Sequence, residues 1–295
     1  MDIFLFLCYN DMRHIDSGGD NSLAIEIFNR YENKYLIDNK TFIEITKILE
    51  EHMVPDKYNP IHQDPVTNQI TYDYYTISNI YYDTNDDYLI RKSISHPVYK
   101  EKLRLRGYGV PNIDDIVFLE IKKKFKKIVN KRRTKILLSD AYSMISDPEH
   151  TPKYTSYTNN QVLNEINCFL QKYELIPKVY IAYDRLAFFA KNDNDLRISF
   201  DKNIRTRHDN LLLEYGDSGE LLIPPEQRLM EIKVHGAIPL WLSGILSDFS
   251  VYKNSFSKYG TEYIRKNART NDNITSLEYA FPPLMKHFEK EKIYY

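Results

Sequence analysis

Lys102, Arg104 and Arg106 alternate with Leu103 and Leu105, and Glu120, Lys122 and Lys124 alternate with Leu119 and Ile121. Successive side chains of an extended strand point to opposite faces. Each stretch therefore has a charged face and an aliphatic one, with Tyr108 and Phe118 joining the charged rows. The split recurs at Arg30, Glu32 and Lys34, at Lys131, Arg133 and Lys135, at Arg197, Ser199 and Asp201, and at Glu231, Lys233 and His235. An ordinary half-buried sheet with one solvated face also alternates. Local charge argues for more than that: residues 102–135 hold twelve Lys and Arg against three Asp and Glu, in a chain of formal net charge −1. Guanidinium forks that face one another need an anion between them, and phosphate oxygens match that geometry.

If such strands close into a barrel, the charged faces can line the lumen and the aliphatic faces can pack under outer helices. The lumen must then be wet or hold an anion, because an unpaired buried charge costs on the order of several kcal/mol.

Composition excludes several alternatives. Lys and Arg (40) nearly balance Asp and Glu (41), which disfavours a nucleic-acid binder. Only 9 of the 295 residues are Gly, and neither GxGxxG nor GxxxxGK[ST] occurs, which disfavours the glycine-rich phosphate loops. Cys8 and Cys168 have no metal-ligand spacing around them. The start of the chain lacks a basic region and a cleavage site, and no apolar stretch is long enough to span a bilayer, so a cytoplasmic location is expected.

The pattern predicts an α+β chain with an antiparallel sheet. Strands are expected from near Phe28 and at 70–77, 78–83, 99–108, 117–125, 131–137, 178–190, 196–201, 211–215 and 229–235. Helices are expected at 41–52, with Thr41 as cap and Glu44 as its capping-box partner, and at 138–145, 160–173, 240–249 and 259–266. Residues 269–273 form a polar break. Val162, Leu163, Ile166, Phe169 and Leu170 fall at helical spacing.

Nine segments in this order resemble the VTC-type polyphosphate polymerase domain, a branch of the triphosphate tunnel metalloenzymes: RYENKYLI (30–37), YYDT (81–84), KLRLRGYG (102–109), FLEIKKK (118–124), KRR (131–133), YDRLAF (183–188), LRISFD (196–201), MEIK (230–233) and FSKYG (256–260). The resemblance implies a closed antiparallel β-barrel, the tunnel, with flanking helices. It divides the chain into an N-terminal extension (1–25), a tunnel domain (26–268) and a C-terminal helical tail (269–295). The implied activity is transfer of the ATP γ-phosphate to a growing polyphosphate chain, aided by Mn2+ or Mg2+, with pyrophosphate as a short acceptor.

By the same resemblance, Arg104, Arg106, Lys122, Arg185 and Arg197 carry the catalytic grip on phosphate. Lys34, Arg133, Lys233, Ser257 and Lys258 bind substrate. Glu231 holds the metal, with Glu120 the second candidate; both carboxylates could instead pair with lumen cations. Related tunnel triphosphatases open with Glu-x-Glu-x-Lys, whereas this chain has Arg30 at the first position, which favours synthesis over hydrolysis. A tunnel triphosphatase and a non-catalytic polyphosphate-binding module remain the alternatives. Export of a polymer would need a membrane-protein partner.

Overall fold

The computed structural model describes residues 31–64, 70–126, 128–147, 149–150, 152, 155–193 and 195–270. The expected N-terminal extension, the tail beyond residue 270 and Arg30 lie outside the described residues.

The chain is α+β, with a large antiparallel sheet and six α-helices among the described residues. The strands are β1 (Tyr31–Asp38), β2 (Met53–Pro55), β3 (Ile61–Gln63), β4 (Ile70–Tyr72), β5 (Tyr75–Asp83), β6 (Tyr99–Tyr108), β7 (Ile116–Phe125), β8 (Ile128–Leu137), β9 (Ile176–Ala190), β10 (Arg197–Arg207), β11 (Glu220–Leu221) and β12 (Gln227–Val234). The helices are α1 (Asn39–His52), α2 (Tyr88–Ile94), α3 (Leu138–Ser146), α4 (Asn160–Lys172), α5 (Leu240–Asp248) and α6 (Lys258–Thr270).

The main sheet runs β1-β12-β10-β9-β5-β6-β7-β8, with β2 on β9 and β11 on β10; β3 and β4 form a separate pair. Laid flat, β1 and β7 would stand about 29 Å apart, at roughly 4.8 Å per strand. Yet Glu32 of β1 meets Lys122 of β7 at 3.6 Å. The sheet therefore curls until its charged faces meet across a hollow.

Where the sequence suggested a closed barrel, β1 and β8 are the two ends of the sheet, and no ladder joins them among the described residues. The open edge of β1 has another partner: the amide of Asn254 donates to the Lys34 carbonyl at 2.7 Å, so the segment before α6 occupies that edge.

The aliphatic faces pack outward. Leu103, Leu105, Leu119 and Ile121 share one core with Ala141 and Met144 of α3 and Leu163, Ile166 and Leu170 of α4. Ile37, Ile198, Phe200, Met230 and Ile232 share a second core with Ile45 and Leu49 of α1 and Leu242 and Ile245 of α5. A third core lies on the concave side, where Ile77, Val179, Ile181 and Leu229 meet Ile90 of α2, Phe256 and Tyr259. It fills part of the hollow and brings the N-terminus of α6 to the charged residues.

Several local expectations are corrected. The cap of α1 is Asp38, whose carboxylate accepts from the Thr41 amide at 2.7 Å; Thr41 sits inside the helix. Residues 213–215 form a 3-10 turn, because Leu213 is buried in the first core and its amide donates to the Tyr142 hydroxyl. The expected break at 269 falls within α6, whose last turn is tied to β11 by the Arg269–Glu220 pair at 2.6 Å. The expected strands at 70–77 and 78–83 resolve into the short β4 and the longer β5.

Candidate functional site

Strand register sets the concave face. β1 and β12 pair Lys34 with Glu231 and Glu32 with Lys233. β12 and β10 pair Glu231 with Ser199 and Lys233 with Arg197, and β10 and β9 pair Asp201 with Arg185. Across β5, β6 and β7, Asn79 faces Arg106, Tyr81 faces Arg104, and Arg104 faces Glu120. Side chains on one face of paired strands are held within reach of one another.

Two charged clusters result. In the first, Glu231 is surrounded by Lys258 (3.2 Å), Arg185 (3.4 Å), Lys233 (3.4 Å) and Lys34 (3.6 Å). Asp201, fully buried, accepts from Nε and Nη2 of Arg185 at 2.6 and 2.7 Å, with one oxygen for each, and from Lys258 at 2.6 Å. In the second, Glu120 takes Arg104 (2.5 Å), Lys131 (2.9 Å) and Arg106 (3.8 Å). Burial pushes the Glu231 and Glu120 carboxyls up, but the surrounding cations hold both well below the usual carboxylate range. Burial likewise opposes charge on Lys258, and Asp201 and Glu231 outweigh it to keep the amine protonated.

Tyr183 joins the clusters. Its hydroxyl accepts from Arg106 at 3.3 Å, and the Lys258 amine lies 4.3 Å from its ring centre. Glu32 forms a second bridge, 3.3 Å from Lys34 and 3.6 Å from Lys122. Asn79 and Tyr81 fix the arginines further: Arg106 Nε donates to Asn79 at 3.0 Å, and Arg104 donates to the Tyr81 hydroxyl at 3.2 Å.

Other named residues lie apart from these clusters. Arg197 pairs with Asp56 at 3.0 Å, and Arg133 stacks 4.7 Å from the Phe118 ring centre; both line a cavity at another part of the hollow. The Ser257 hydroxyl accepts from the Gly260 amide at 3.3 Å as part of the start of α6. A Cβ on Gly260 would come within 3.2 Å of that hydroxyl, so glycine permits the close turn. On the outer face, Lys123 and Arg132 both pair with Glu165 of α4, at 2.6 and 3.0 Å.

Glu32, Lys102, Lys131, Tyr183 and Asp56 had no site role in the sequence reading. Glu32, Lys102 and Lys131 carried the alternation signal, and Tyr183 opens the YDRLAF segment. Asp56 carried no local signal, since its partner Arg197 is distant in the chain. Asp83, of the YYDT segment, accepts from the Leu89 and Ile90 amides at 2.8 Å and so caps α2.

Lys102 is half-buried, with Lys100 beside it on β6, Lys122 on β7, Lys34 on β1, Asp83 on β5 and the Tyr259 ring of α6. Burial and then the neighbouring lysines pull its amine down to about 7 from 10.5. The folded chain therefore sheds this proton near pH 7 while the unfolded chain keeps it to about 10.5. Ligand-free stability should rise with pH across that window. A bound polyanion favours the charged amine, so tripolyphosphate should take up a proton near pH 8 and bind more weakly as pH climbs from about 7. Calorimetry in buffers of different ionisation enthalpy checks this. Lys102→Arg should abolish the uptake, and equal heats in all buffers for the native chain would place Lys102 away from the anion.

The described residues thus form a curled antiparallel sheet with cations and carboxylates interleaved on its inner face and α1, α3, α4 and α5 packed on its outer face. Residues 29–265 match the family model described as the VTC domain, and the chain belongs to that family. Solved structures with similar folds include a Bacillus halodurans protein assigned as an adenylate cyclase (15% identity, TM-score 0.45, covering 79% of this chain and 94% of that one). Another is a Vibrio parahaemolyticus protein with the same assignment (14%, 0.42, 81% and 99%). A third, from Hippeastrum, is assigned as an adenylyl cyclase with a dominant triphosphatase activity (13%, 0.40, 77% and 92%). A search of curated protein sequences gives no match.

Proposed function

We propose that the hollow is a phosphate tunnel, closed along its open side by side chains, in which the ATP γ-phosphoryl group passes to the end of a polyphosphate or pyrophosphate acceptor. The observation that carries this reading is the double ring of cations about Glu231 and Glu120, joined through Tyr183, with Glu32 tying Lys34 to Lys122 of β7 beside them. Membership of the VTC domain family supports it.

Phosphoryl transfer needs positioning and charge stabilisation more than an elaborate nucleophile. Arg185 is fixed by Asp201, Arg104 by Glu120 and Tyr81, and Arg106 by Asn79 and Tyr183. These guanidiniums are oriented before substrate arrives, which lowers the reorganisation left for the reaction. Lys34, Lys122 and Lys233 are less buried and can move from carboxylate to phosphate as a chain enters. An acceptor phosphate is already ionised, so no strong general base is required.

Among the described residues, no group of three His, Cys, Asp or Glu side chains could hold a metal ion by itself. Mn2+ or Mg2+ fits here only as an ion shared between substrate phosphates and one protein carboxylate, a common arrangement for Mg2+. Glu231 fits that role best: its cations stand at 3.2–3.6 Å, whereas Asp201 and Glu120 hold theirs more tightly. Such an ion supplies charge neutralisation at the transferred phosphoryl group. We assign Glu120 to orienting Arg104, Arg106 and Lys131.

Incubation with ATP and Mn2+, with and without pyrophosphate, tests the reading. It predicts ADP together with a phosphate polymer, after a lag that pyrophosphate shortens. ADP with stoichiometric orthophosphate and no polymer would make the protein a triphosphatase. Salt-sensitive polyphosphate binding without ADP would make it a binding module. No described helix is long and apolar enough to cross a membrane, so passage of a polymer across a bilayer would fall to another segment or protein.

A further inference from the structure

Away from the paired cations, the hollow opens into a cavity of about 350 Å3 lined by four aromatic side chains and four charged ones, Asp56, Lys57, Arg133 and Arg197. Tyr75, Tyr108 and Phe189 line it from β5, β6 and β9, and Tyr58 lines it from the loop after β2. Its two guanidiniums, Arg197 and Arg133, come from β10 and β8.

A bare phosphate chain would use only part of this lining. It would pair with Lys57, Arg133 and Arg197 and gain nothing from the four ring faces beside them. The rings do suit a flat, uncharged, aromatic group, which can stack on several of them. Tyr58 and Tyr108 are largely exposed, so their faces are open to a ligand. Tyr75 and Tyr108 stand 6.2 Å apart, centre to centre, at a 42° tilt. The buried Nε of Arg197 has no hydrogen-bond partner among the described residues, although its other end is held by Asp56. The volume falls in the range of roughly 300–1,000 Å3 usual for small-molecule pockets.

We propose that this cavity seats the nucleobase of the phosphoryl donor, so that the donor enters base-last with its phosphates directed toward Arg185 and Arg106. Tyr75 marks the junction: it lines the cavity and sits opposite Arg185 in the β5–β9 ladder. The tunnel would then have a sense, with an aromatic nucleoside end and a lysine-rich end at Lys34, Lys102 and Lys122 for the phosphate acceptor. The inference rests on the phosphate-tunnel reading and adds to it a recognition element that distinguishes a nucleoside triphosphate from tripolyphosphate.

The test compares ATP with tripolyphosphate, measured as dissociation constants by calorimetry without turnover, in the native chain and in Tyr108→Ala and Tyr108→Phe. Tyr108 is exposed enough for replacement to leave the fold intact. Base stacking on an aromatic side chain is worth about 1–3 kcal/mol, so Tyr108→Ala should weaken ATP binding about tenfold. Tripolyphosphate should change by less than about twofold, and Tyr108→Phe should bind both ligands as the native chain does. Equal weakening of both ligands, or of neither, would overturn the base pocket while the phosphate tunnel stands. Native protein that binds neither ligand would overturn both.

Discussion

Replacing Arg185 with methionine is expected to destabilise the protein by about 3 kcal/mol and abolish phosphate transfer. Asp201 is fully buried and takes the Nε and Nη2 edge of this guanidinium with both oxygens, which leaves Lys258 as its one other ion-pair partner among the described residues. Removing one partner of a buried ion pair typically costs about 3–5 kcal/mol, because the remaining charge is left without compensation. Asp201→Asn added to Arg185→Met should recover much of the stability, since the uncompensated charge is gone. It should recover none of the transfer, because the phosphate ligand is still missing. Urea denaturation beside an ADP-release assay separates the two effects. A change within about 0.5 kcal/mol for Arg185→Met, the range of ordinary surface substitutions, would mean that solvent already reaches Asp201.

Glu231→Gln should lower turnover about a hundredfold, a loss of the size seen when one transition-state electrostatic contact is removed. Tripolyphosphate binding without metal should not weaken, and should tighten, since Lys34, Arg185, Lys233 and Lys258 would lose their competing anion. Glu120→Gln should behave differently. Arg104, Arg106 and Lys131 would lose their common anchor, so affinity should fall and saturating substrate should restore much of the rate. If Glu231→Gln keeps full turnover with saturating Mn2+ while Glu120→Gln does not, the metal role moves to Glu120.

The period-two alternation made β6 and β7 readable because a charged face and an aliphatic face cannot exchange without burying lysines. Leu103 and Ile121 therefore reach the core with α4, whose own 3.6-residue pattern was equally plain. What local pattern could not show was contact between distant strands. Glu32 and Lys122 lie far apart in the chain, and only the curl of the sheet brings them together. For the same reason the edge of β1 could not be seen to end on Asn254 instead of β8. Helix α2 has only seven residues, and its anchor, Asp83, belongs to the preceding strand. Lys123, on the opposite face of β7 from Glu120, has a partner on α4 that only packing reveals.

The charged face was readable as a set, but its organisation was not. The alternation gave every cation the same status. The folded chain sorts them by partner: Arg185 is locked to Asp201, Arg104 to Glu120, and Arg197 to Asp56 beside an aromatic cavity. Those pairings depend on strand order, which alternation does not encode.

The central claim is that phosphate chains lie inside the curled sheet. A crystal structure with tripolyphosphate tests it most directly. The account predicts phosphates between β6 and β9, with oxygens within hydrogen-bond distance of Arg104, Arg106 and Arg185, and with Lys34 or Lys122 drawn from Glu32 to the ligand. Tripolyphosphate bound only to the outer face, along Lys123 and Arg132, with the Glu231 and Glu120 clusters unchanged, would contradict it.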